Sequence, residues 1–214
     1  MTPQPRNDDR SPDGGFTLVE LIVAIGLIAI LFSIFSAGVV VMVHDQDRTR
    51  SVADAATQAR KVFDTMDKAV RGAAALNQPV LSGNDWYLEF LTSDVKNSGA
   101  PFCTQWRVDT ATQTLQQRTW PNSTGTVTAT PWLVLATNVV NKPAATPPPF
   151  TVVVANSVNV RQQLQVNLSI TSPTGHGAGL VSTLVARNTT TATQTNVLAG
   201  GVPINPVCTQ VGRP

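Results

Sequence analysis

Glu20 is the only ionisable side chain in an apolar stretch that extends from residue 16 to residue 43. A carboxylate at the centre of a membrane-spanning helix raises the free energy of insertion by about 2.5–3.5 kcal/mol, and the penalty is smaller near the membrane boundary. An unpaired charge is also unfavourable inside a bundle of packed helices. The chemistry open to Glu20 is therefore ion pairing with a cation, or contact with water at the end of an ordinary membrane anchor.

The other residues that could carry chemistry form no catalytic or metal-binding pattern. His176 lies in a glycine-rich segment without the Gly-x-Ser-x-Gly motif of a hydrolase, and the second histidine, His44, lies just after the apolar stretch. Asp45, Asp47 and Asp54 fall on different faces of a helix and lack the glycine of a calcium loop. We predict a flexible loop and a solvated helix face, with no catalytic residue, no metal and no cofactor.

Cys103 and Cys208 have no spacing typical of metal ligands. In an exported domain they are natural partners for one disulfide, because disulfides persist in oxidising compartments. Such a bond would close a loop of roughly 100 residues and stabilise the fold by about 4–5 kcal/mol on the chain-entropy model. In a cytosolic domain both would instead be buried thiols.

Charge is sparse, since 13% of the 214 residues are Asp, Glu, Lys or Arg and the net charge is +2. Soluble proteins have about a quarter of their residues charged. A net charge this small does not point to nucleic acid as a partner. Asp109 is the last acidic residue, however, so the C-terminal half is mildly basic and a role in DNA uptake stays open.

Four segments follow from the composition. Residues 1–15 are polar and rich in Pro, Gly and Asp, which predicts a leader without a core of its own. Residues 16–43 would span about 42 Å as a helix, more than the roughly 30 Å of a bilayer core. This length is twice that of the apolar part of a cleaved secretion signal. Residues 44–76 are amphipathic, and residues 77–214 are rich in strand and turn signals.

The amphipathic segment predicts a helix that continues from the apolar one, because no proline occurs between residues 16 and 76. Apolar residues recur in it at spacings of three and four, which places them on one helix face. These residues are Val52, Ala56, Ala59, Phe63, Met66, Val70 and Ala73.

The remainder predicts an antiparallel sheet. Residues 85–91 form a strand with Trp86, Leu88 and Phe90 on one face, and residues 104–120 form a hairpin. Residues 132–140, 158–170 and 180–188 are further strands, and a proline-rich loop occupies residues 142–149. Residues 158–170 alternate apolar and polar side chains, as expected when one face is buried. The fold class is α+β, with one helix packed across the sheet.

The stretch Gly15-Phe16-Thr17-Leu18-Val19-Glu20 resembles the type IV prepilin signature. The resemblance covers residue 14 to about residue 76, and the motif is specific because Gly, Phe, Thr, Leu and Glu all match. It implies that a membrane prepilin peptidase cuts after Gly15 and that Phe16 is N-methylated. Gly14 and Gly15 lack side chains, so the backbone there could lie extended in a protease cleft.

Cleavage after Gly15 would create an α-amino group on Phe16, one helical turn from Glu20. The resemblance implies that Glu20 pairs with the terminal amine of a neighbouring subunit and so fixes the register of assembly. The helix would pack through small residues that allow close approach. These residues are Ala24, Ala29, Ser33, Ala37 and Gly38.

Major type IV pilins usually carry a proline about two-thirds along the apolar helix, where this chain has Ser36-Ala37-Gly38. The resemblance is therefore to minor pilins, or to pseudopilins of type II secretion-like machines. It implies a single-pass protein of the cytoplasmic membrane with its C-terminal domain outside, partnered by the peptidase, other pilin subunits and an assembly platform in the membrane. Arginines flank both ends of the apolar stretch, so the positive-inside rule adds little. The rival interpretation is an anchored β-domain that binds a ligand and never polymerises.

Overall fold

The structure is a computed structural model that describes residues 15, 17–93, 100–172 and 177–213. The chain divides into two compact units, Met1–Asp47 and Arg48–Pro214. The predicted leader, apart from Gly15, and the glycine-rich segment with His176 lie outside the described residues. Each unit is described below by itself.

One long helix, α1, extends from Leu18 to Arg71 and contributes to both units. The absence of proline allows it to continue without a break. The predicted end at residue 76 is wrong, since the helix stops before Gly72 and the next four residues form a strand. Glycine disfavours helix continuation, and the burial of Ala73 and Leu76 against the sheet outweighs the helical preference of the alanines.

The C-terminal part of α1 buries one stripe in the core of the second unit. The buried residues are Ala55, Ala59, Val62, Met66 and Val70. Ala59, Met66 and Val70 were predicted, whereas Val52 and Ala56 are exposed and Phe63 is only partly buried. The stripe is displaced by one residue because the sequence offers adjacent candidates at 55/56 and 62/63, and only one of each pair faces the sheets. Each large apolar side chain buried here contributes about 1.5–3 kcal/mol.

Eleven strands follow α1 in the described residues, and every pairing among them is antiparallel. They are β1 Ala73–Leu76, β2 Val80–Ser82, β3 Asp85–Ser93, β4 Pro101–Asp109, β5 Thr114–Pro121, β6 Leu133–Ala136, β7 Phe150–Val153, β8 Gln163–Thr171, β9 Gly177–Val185, β10 Leu198–Ala199 and β11 Val202–Pro203. A short 3-10 helix, Gln194–Asn196, precedes β10.

The strands form two sheets and a small hairpin rather than the single predicted sheet. The main sheet has the order β1-β3-β4-β5-β6, with β2 paired to β3, and a second sheet has the order β7-β8-β9. An isolated bridge between Val139 and Ile170 joins the segment after β6 to β8. The α+β class is confirmed, with the helix packed against antiparallel sheets.

The predicted strand over residues 85–91 and the hairpin over residues 104–120 are confirmed as β3 and as the β4–β5 pair. The strand predicted for residues 132–140 is shorter, because β6 ends at Ala136 and Asn138 adopts a positive φ of 55°. The strand predicted for residues 158–170 starts only at Gln163, because Asn156 closes a turn with Asn159. From there its apolar residues are buried in alternation, as predicted.

Sequence patterns missed β1, β2, β7 and the β10–β11 hairpin. All are two to four residues long, which is too short for an alternating pattern to emerge. β7 also follows directly on Pro147, Pro148 and Pro149, which favour a loop.

The core of the second unit is shared by α1 and both sheets. Trp106 of β4 is fully buried within it, with its ring centroid 4.8 Å from that of Phe90 and 6.4 Å from that of Phe150. Its indole N–H donates to Gln117 Oε1 at 2.9 Å, which satisfies the one polar atom of the side chain. The aromatic residues therefore link the main sheet to the second sheet.

The C-terminal tail covers the other face of the main sheet. Cys103 and Cys208, which are 105 positions apart in sequence, form a disulfide with Cα atoms 5.5 Å apart. Both are buried beside Trp120 and Val207. Asn77 holds the same segment, since its side-chain amide donates to the Val207 carbonyl at 2.8 Å and its Oδ1 accepts from the Val207 N–H at 3.0 Å.

A buried carboxylate fixes the end of the tail. Glu89 of β3 is 3% exposed, and its Oε1 and Oε2 accept hydrogen bonds from the Arg213 guanidinium at 2.8 and 2.6 Å. Gln105 Nε2 donates to the same carboxylate at 2.7 Å, and Arg118 Nε donates to Gln105 Oε1 at 2.7 Å. Because a buried charge needs both a counter-ion and hydrogen bonds, this row of residues stabilises the tail on the sheet.

Two arginine pKa values reflect this arrangement. The hydrogen bond to Glu89 raises the pKa of Arg213, although burial opposes the rise. Burial, with the nearby charge of Arg107, lowers the pKa of Arg118. Arg107 and Arg118 both stack on Trp132, with guanidinium carbons 4.5 and 4.4 Å from the ring centroid. Cation–π contact therefore offsets part of the repulsion between the two arginines.

Replacing Arg213 with alanine should lower the free energy of unfolding by about 3 kcal/mol, because the Glu89 charge stays buried without its counter-ion. This is the low end of the range for a broken buried ion pair, since Arg213 keeps 32% of its side chain exposed. Denaturant unfolding of the full chain in detergent, followed by tryptophan fluorescence, measures the loss.

The matched control is the same replacement made together with Glu89→Gln, which removes the buried charge. In the Glu89→Gln background, Arg213→Ala should lower the free energy of unfolding by a much smaller amount. An equal loss in both backgrounds would show that the ion pair does not hold the tail.

Candidate processing and assembly site

The predicted processing and assembly residues lie at and just before the start of α1. Gly15 is exposed, and a Cβ atom added to it would meet no other atom within 4 Å. Gly14 and Phe16 lie outside the described residues. Glu20 is an exposed residue in the first turn of the helix. The cleavage after Gly15 and the pairing of Glu20 remain predictions at this point.

Thr17 caps the helix. Its Oγ1 accepts a hydrogen bond from the Glu20 N–H at 3.2 Å, and its carbonyl accepts from the Leu21 N–H at 3.1 Å. The first N–H groups of a helix have no partner within the helix, and a threonine side chain at the preceding position supplies one. Sequence reasoning missed this role, although Thr-Leu-Val-Glu has the spacing of a capping box and could have indicated it.

The start of α1 stabilises the Glu20 carboxylate even without a neighbouring subunit. The start of a helix carries a partial positive charge, so a carboxylate in the first turn is stabilised by roughly 0.3–1 kcal/mol at an exposed site. This contribution is smaller than the penalty for placing a carboxylate deep in a bilayer. The helix terminus therefore lowers the cost of an acid here without removing the need for a cation once water is excluded.

The first part of α1 exposes apolar side chains all round. Eighteen large apolar side chains between Leu18 and Val43 are exposed, and the least exposed of them, Val39, is 43% exposed. They are Leu18, Val19, Leu21, Ile22, Val23, Ile25, Leu27, Ile28, Ile30, Leu31, Phe32, Ile34, Phe35, Val39, Val40, Val41, Met42 and Val43. By length and composition α1 could cross a membrane. A helix that is apolar on all faces needs a lipid or protein environment.

Small residues interrupt this apolar surface along one face. Ala29, Ser33 and Ala37 follow one another at intervals of four residues, and Gly26 precedes them by three. A Cβ atom added to Gly26 or Gly38 would meet nothing within 4 Å, so neither glycine is required by contacts among the described residues. Small residues at this spacing allow another helix to approach closely.

The residues set aside as metal ligands do not come together. Among the described residues, no group of three or more His, Cys, Asp or Glu side chains could hold a metal ion. The three candidates, Asp45, Asp47 and Asp54, lie along α1. His176, which was set aside as a catalytic residue, lies outside the described residues.

A comparison with protein families identifies the N-terminal segment. Residues 10–36 match the family described as the prokaryotic N-terminal methylation motif. The chain therefore carries the N-terminal segment of a type IV prepilin-like protein. No curated protein and no solved structure matches it.

The prepilin-type motif implies processing by a prepilin peptidase and assembly with other pilin subunits. Together with the apolar part of α1, it also indicates anchoring in a membrane. The match ends at residue 36, so the C-terminal unit of this prepilin-like chain is known from its own fold and not from a relative.

Replacing Thr17 with alanine should loosen the first turn of α1 by about 1 kcal/mol, because the Glu20 N–H loses its acceptor. Exchange of the Glu20 amide hydrogen should then be faster by about fivefold. Hydrogen exchange followed by NMR on the full chain in detergent measures this. The control is Thr17→Ser, which keeps a hydroxyl and should stay close to the parent, and equal rates in the two variants would contradict the cap.

Proposed function

We propose that this chain is a structural subunit of a type IV pilus or type II secretion-like filament, as a minor pilin or pseudopilin. The observation that carries the proposal is the apolar part of α1, from residue 18 to residue 43, which overlaps the matched N-terminal methylation motif, is apolar on every face and bears a single carboxylate. Such a helix is suited first to lipid and then to a packed helical core. The prepilin-type class consists of structural subunits, which supports a role as the substrate of an enzyme and not as an enzyme.

Cleavage after Gly15 would supply the cation that Glu20 lacks. The new α-amino group would lie on Phe16, which is N-methylated in this class and still basic as a secondary amine. Within one chain the amine lies four residues before Glu20, about one helical turn away. In a filament core without water, each Glu20 would pair with the amine of a neighbouring subunit, because an unpaired charge there is strongly unfavourable.

This pairing would fix the register between subunits. Apolar helices can slide past one another at little cost, since one apolar contact replaces another. A single buried ion pair removes that freedom because only one register brings the two charges together. The face formed by Ala29, Ser33 and Ala37 would then allow the close approach of helices that the pairing requires.

One feature favours a minor pilin or pseudopilin, and a second favours a C-terminal unit outside the cytoplasm. Residues 36–38 read Ser-Ala-Gly, where major pilins resembling this chain usually have a proline that bends the helix. The disulfide between Cys103 and Cys208 supports a C-terminal unit outside the cytoplasm, since such bonds persist in oxidising compartments. A DNA-uptake role rests only on the mildly basic composition of the chain after Asp109.

Replacing Glu20 with alanine should leave membrane insertion intact and lower the amount of mature chain in the filament fraction by tenfold or more. A buried pair of opposite charges whose partner is lost destabilises an interface by about 2–5 kcal/mol, and about 1.4 kcal/mol corresponds to tenfold. Immunoblots of sheared filaments and of membranes from the native host measure the two pools.

Asp47→Ala is the matched control, because Asp47 is an exposed carboxylate on the same helix and in the same unit. It should change neither pool. Normal filament incorporation of Glu20→Ala would reject the register role, whereas absence of the parent chain itself from the filament fraction would favour an anchored domain that does not polymerise.

A further inference from the structure

β9 differs from every other edge strand in the described residues. It has nine residues, Gly177–Val185, and is the terminal strand of the second sheet. Its nine pairs with β8 run without a register shift. The other edges of the two sheets, β1, β2, β6 and β7, have three or four residues each, and the pairings of β1 and β6 contain irregularities.

The hydrogen-bond pattern identifies which β9 groups face the open edge. The Ala186 N–H donates to the Gln162 carbonyl at 3.0 Å, in line with the β8–β9 register. In an antiparallel pair, residues alternate between bonding toward the partner strand and away from it. Even-numbered residues therefore bond to β8, and five odd-numbered residues direct their N–H and C=O groups to the open edge. These five are Gly177, Gly179, Val181, Thr183 and Val185.

β9 also lacks the features that normally keep edge strands apart. Natural edges are protected by charged side chains, proline, bulges or short length. The sequence GAGLVSTLV contains no charge and no proline, and the strand is long and regular. Val181, at its centre, is 79% exposed. An unprotected edge of this kind is a template for a further antiparallel strand.

We infer that β9 pairs antiparallel with β9 of a second copy of this chain, across a two-fold axis at Val181. Val181 faces its own copy, and Gly179 faces Thr183 of the other copy on each side of the axis. Five donors and five acceptors on each strand give about ten hydrogen bonds, the number found in a typical specific interface. A β-branched pair at the centre adds favourable side-chain contact.

Charge favours the antiparallel orientation and permits an identical partner. The nearest described charged side chain along the chain is Arg187, which is exposed two residues after the end of β9. In the antiparallel pair the two Arg187 side chains lie at opposite ends of the ribbon, about 40 Å apart at 3.4 Å per residue. A parallel pair would place them side by side. Because β9 itself is uncharged, two identical strands meet without like-charge repulsion.

Cysteine cross-linking of the full chain in native membranes tests this pairing. Residues paired directly in an antiparallel ribbon have Cα atoms about 5.5 Å apart, within the range of a disulfide. Val181→Cys should therefore give a covalent dimer on mild oxidation. Thr183→Cys is the matched control, because it is exposed on the same strand but lies about 14 Å from its own copy in this register.

A dimer with Val181→Cys and at least fivefold less with Thr183→Cys supports the pairing. Equal cross-linking of both variants, stronger cross-linking of Thr183→Cys, or none with either overturns it. Reduced and non-reduced peptide maps confirm that Cys103 and Cys208 stay joined to each other. The same comparison in the Glu20→Ala background separates this surface from the helix, since a β9 dimer does not need filament assembly.

A second measurement does not depend on added cysteines. Val181→Lys places like charges at the two-fold axis and should abolish dimers of the full chain in detergent, as measured by analytical ultracentrifugation. Val158→Lys is the control, because Val158 is exposed to a similar degree, 84%, and lies outside β9. Dimerisation that survives Val181→Lys as well as Val158→Lys would also overturn the pairing.

Discussion

The apolar surface of α1 must be shielded from water, and the rest of the structure depends on how that is achieved. In the second unit one narrow stripe of the helix is covered by two antiparallel sheets. In the first unit the helix is apolar on all faces and exposed, so its cover has to come from outside the chain. Lipid can supply that cover before assembly and neighbouring helices can supply it afterwards.

The need to cover an apolar helix also explains why the single acid in it, Glu20, indicates how subunits would be aligned. Apolar contacts are not directional, so they hold helices together without setting their register. Glu20 lies where a helix terminus tolerates a carboxylate and where Thr17 completes the first turn. In the proposed assembly it would add a directional interaction to a surface that is otherwise apolar. The second unit contains a comparable arrangement, in which the buried Glu89 fixes the tail through Arg213.

Long periodic segments were predictable from sequence, and short or long-range features were not. The helix, β3, the β4–β5 hairpin and the alternation in β8 follow from patterns that span seven residues or more. The end of the helix at Arg71 could not be predicted, because Ala73–Leu76 has helical propensity and becomes a strand only through pairing with β3. The division into two sheets likewise depends on the positive φ of Asn138, after which the chain leaves β6 and Val139 bridges to β8, and propensity does not encode this.

The functional residues also divide into those that sequence could predict and those that it could not. The motif from Gly15 to Glu20 is local, so sequence alone was enough to predict it. The Thr17 cap could also have been predicted from sequence, because a threonine three residues before a glutamate is the pattern of a capping box. The row from Arg213 through Glu89 and Gln105 to Arg118 joins residues up to 124 positions apart, and no local pattern could reveal it.

The central claim is that the chain is processed as a prepilin, and the mass of its N-terminus tests this most directly. The protein would be purified from the membranes of its native host and its N-terminal peptide analysed by mass spectrometry. The account predicts a chain that begins at N-methylated Phe16. A chain that still begins at Met1, in a host whose prepilin peptidase is active on its other substrates, would contradict it.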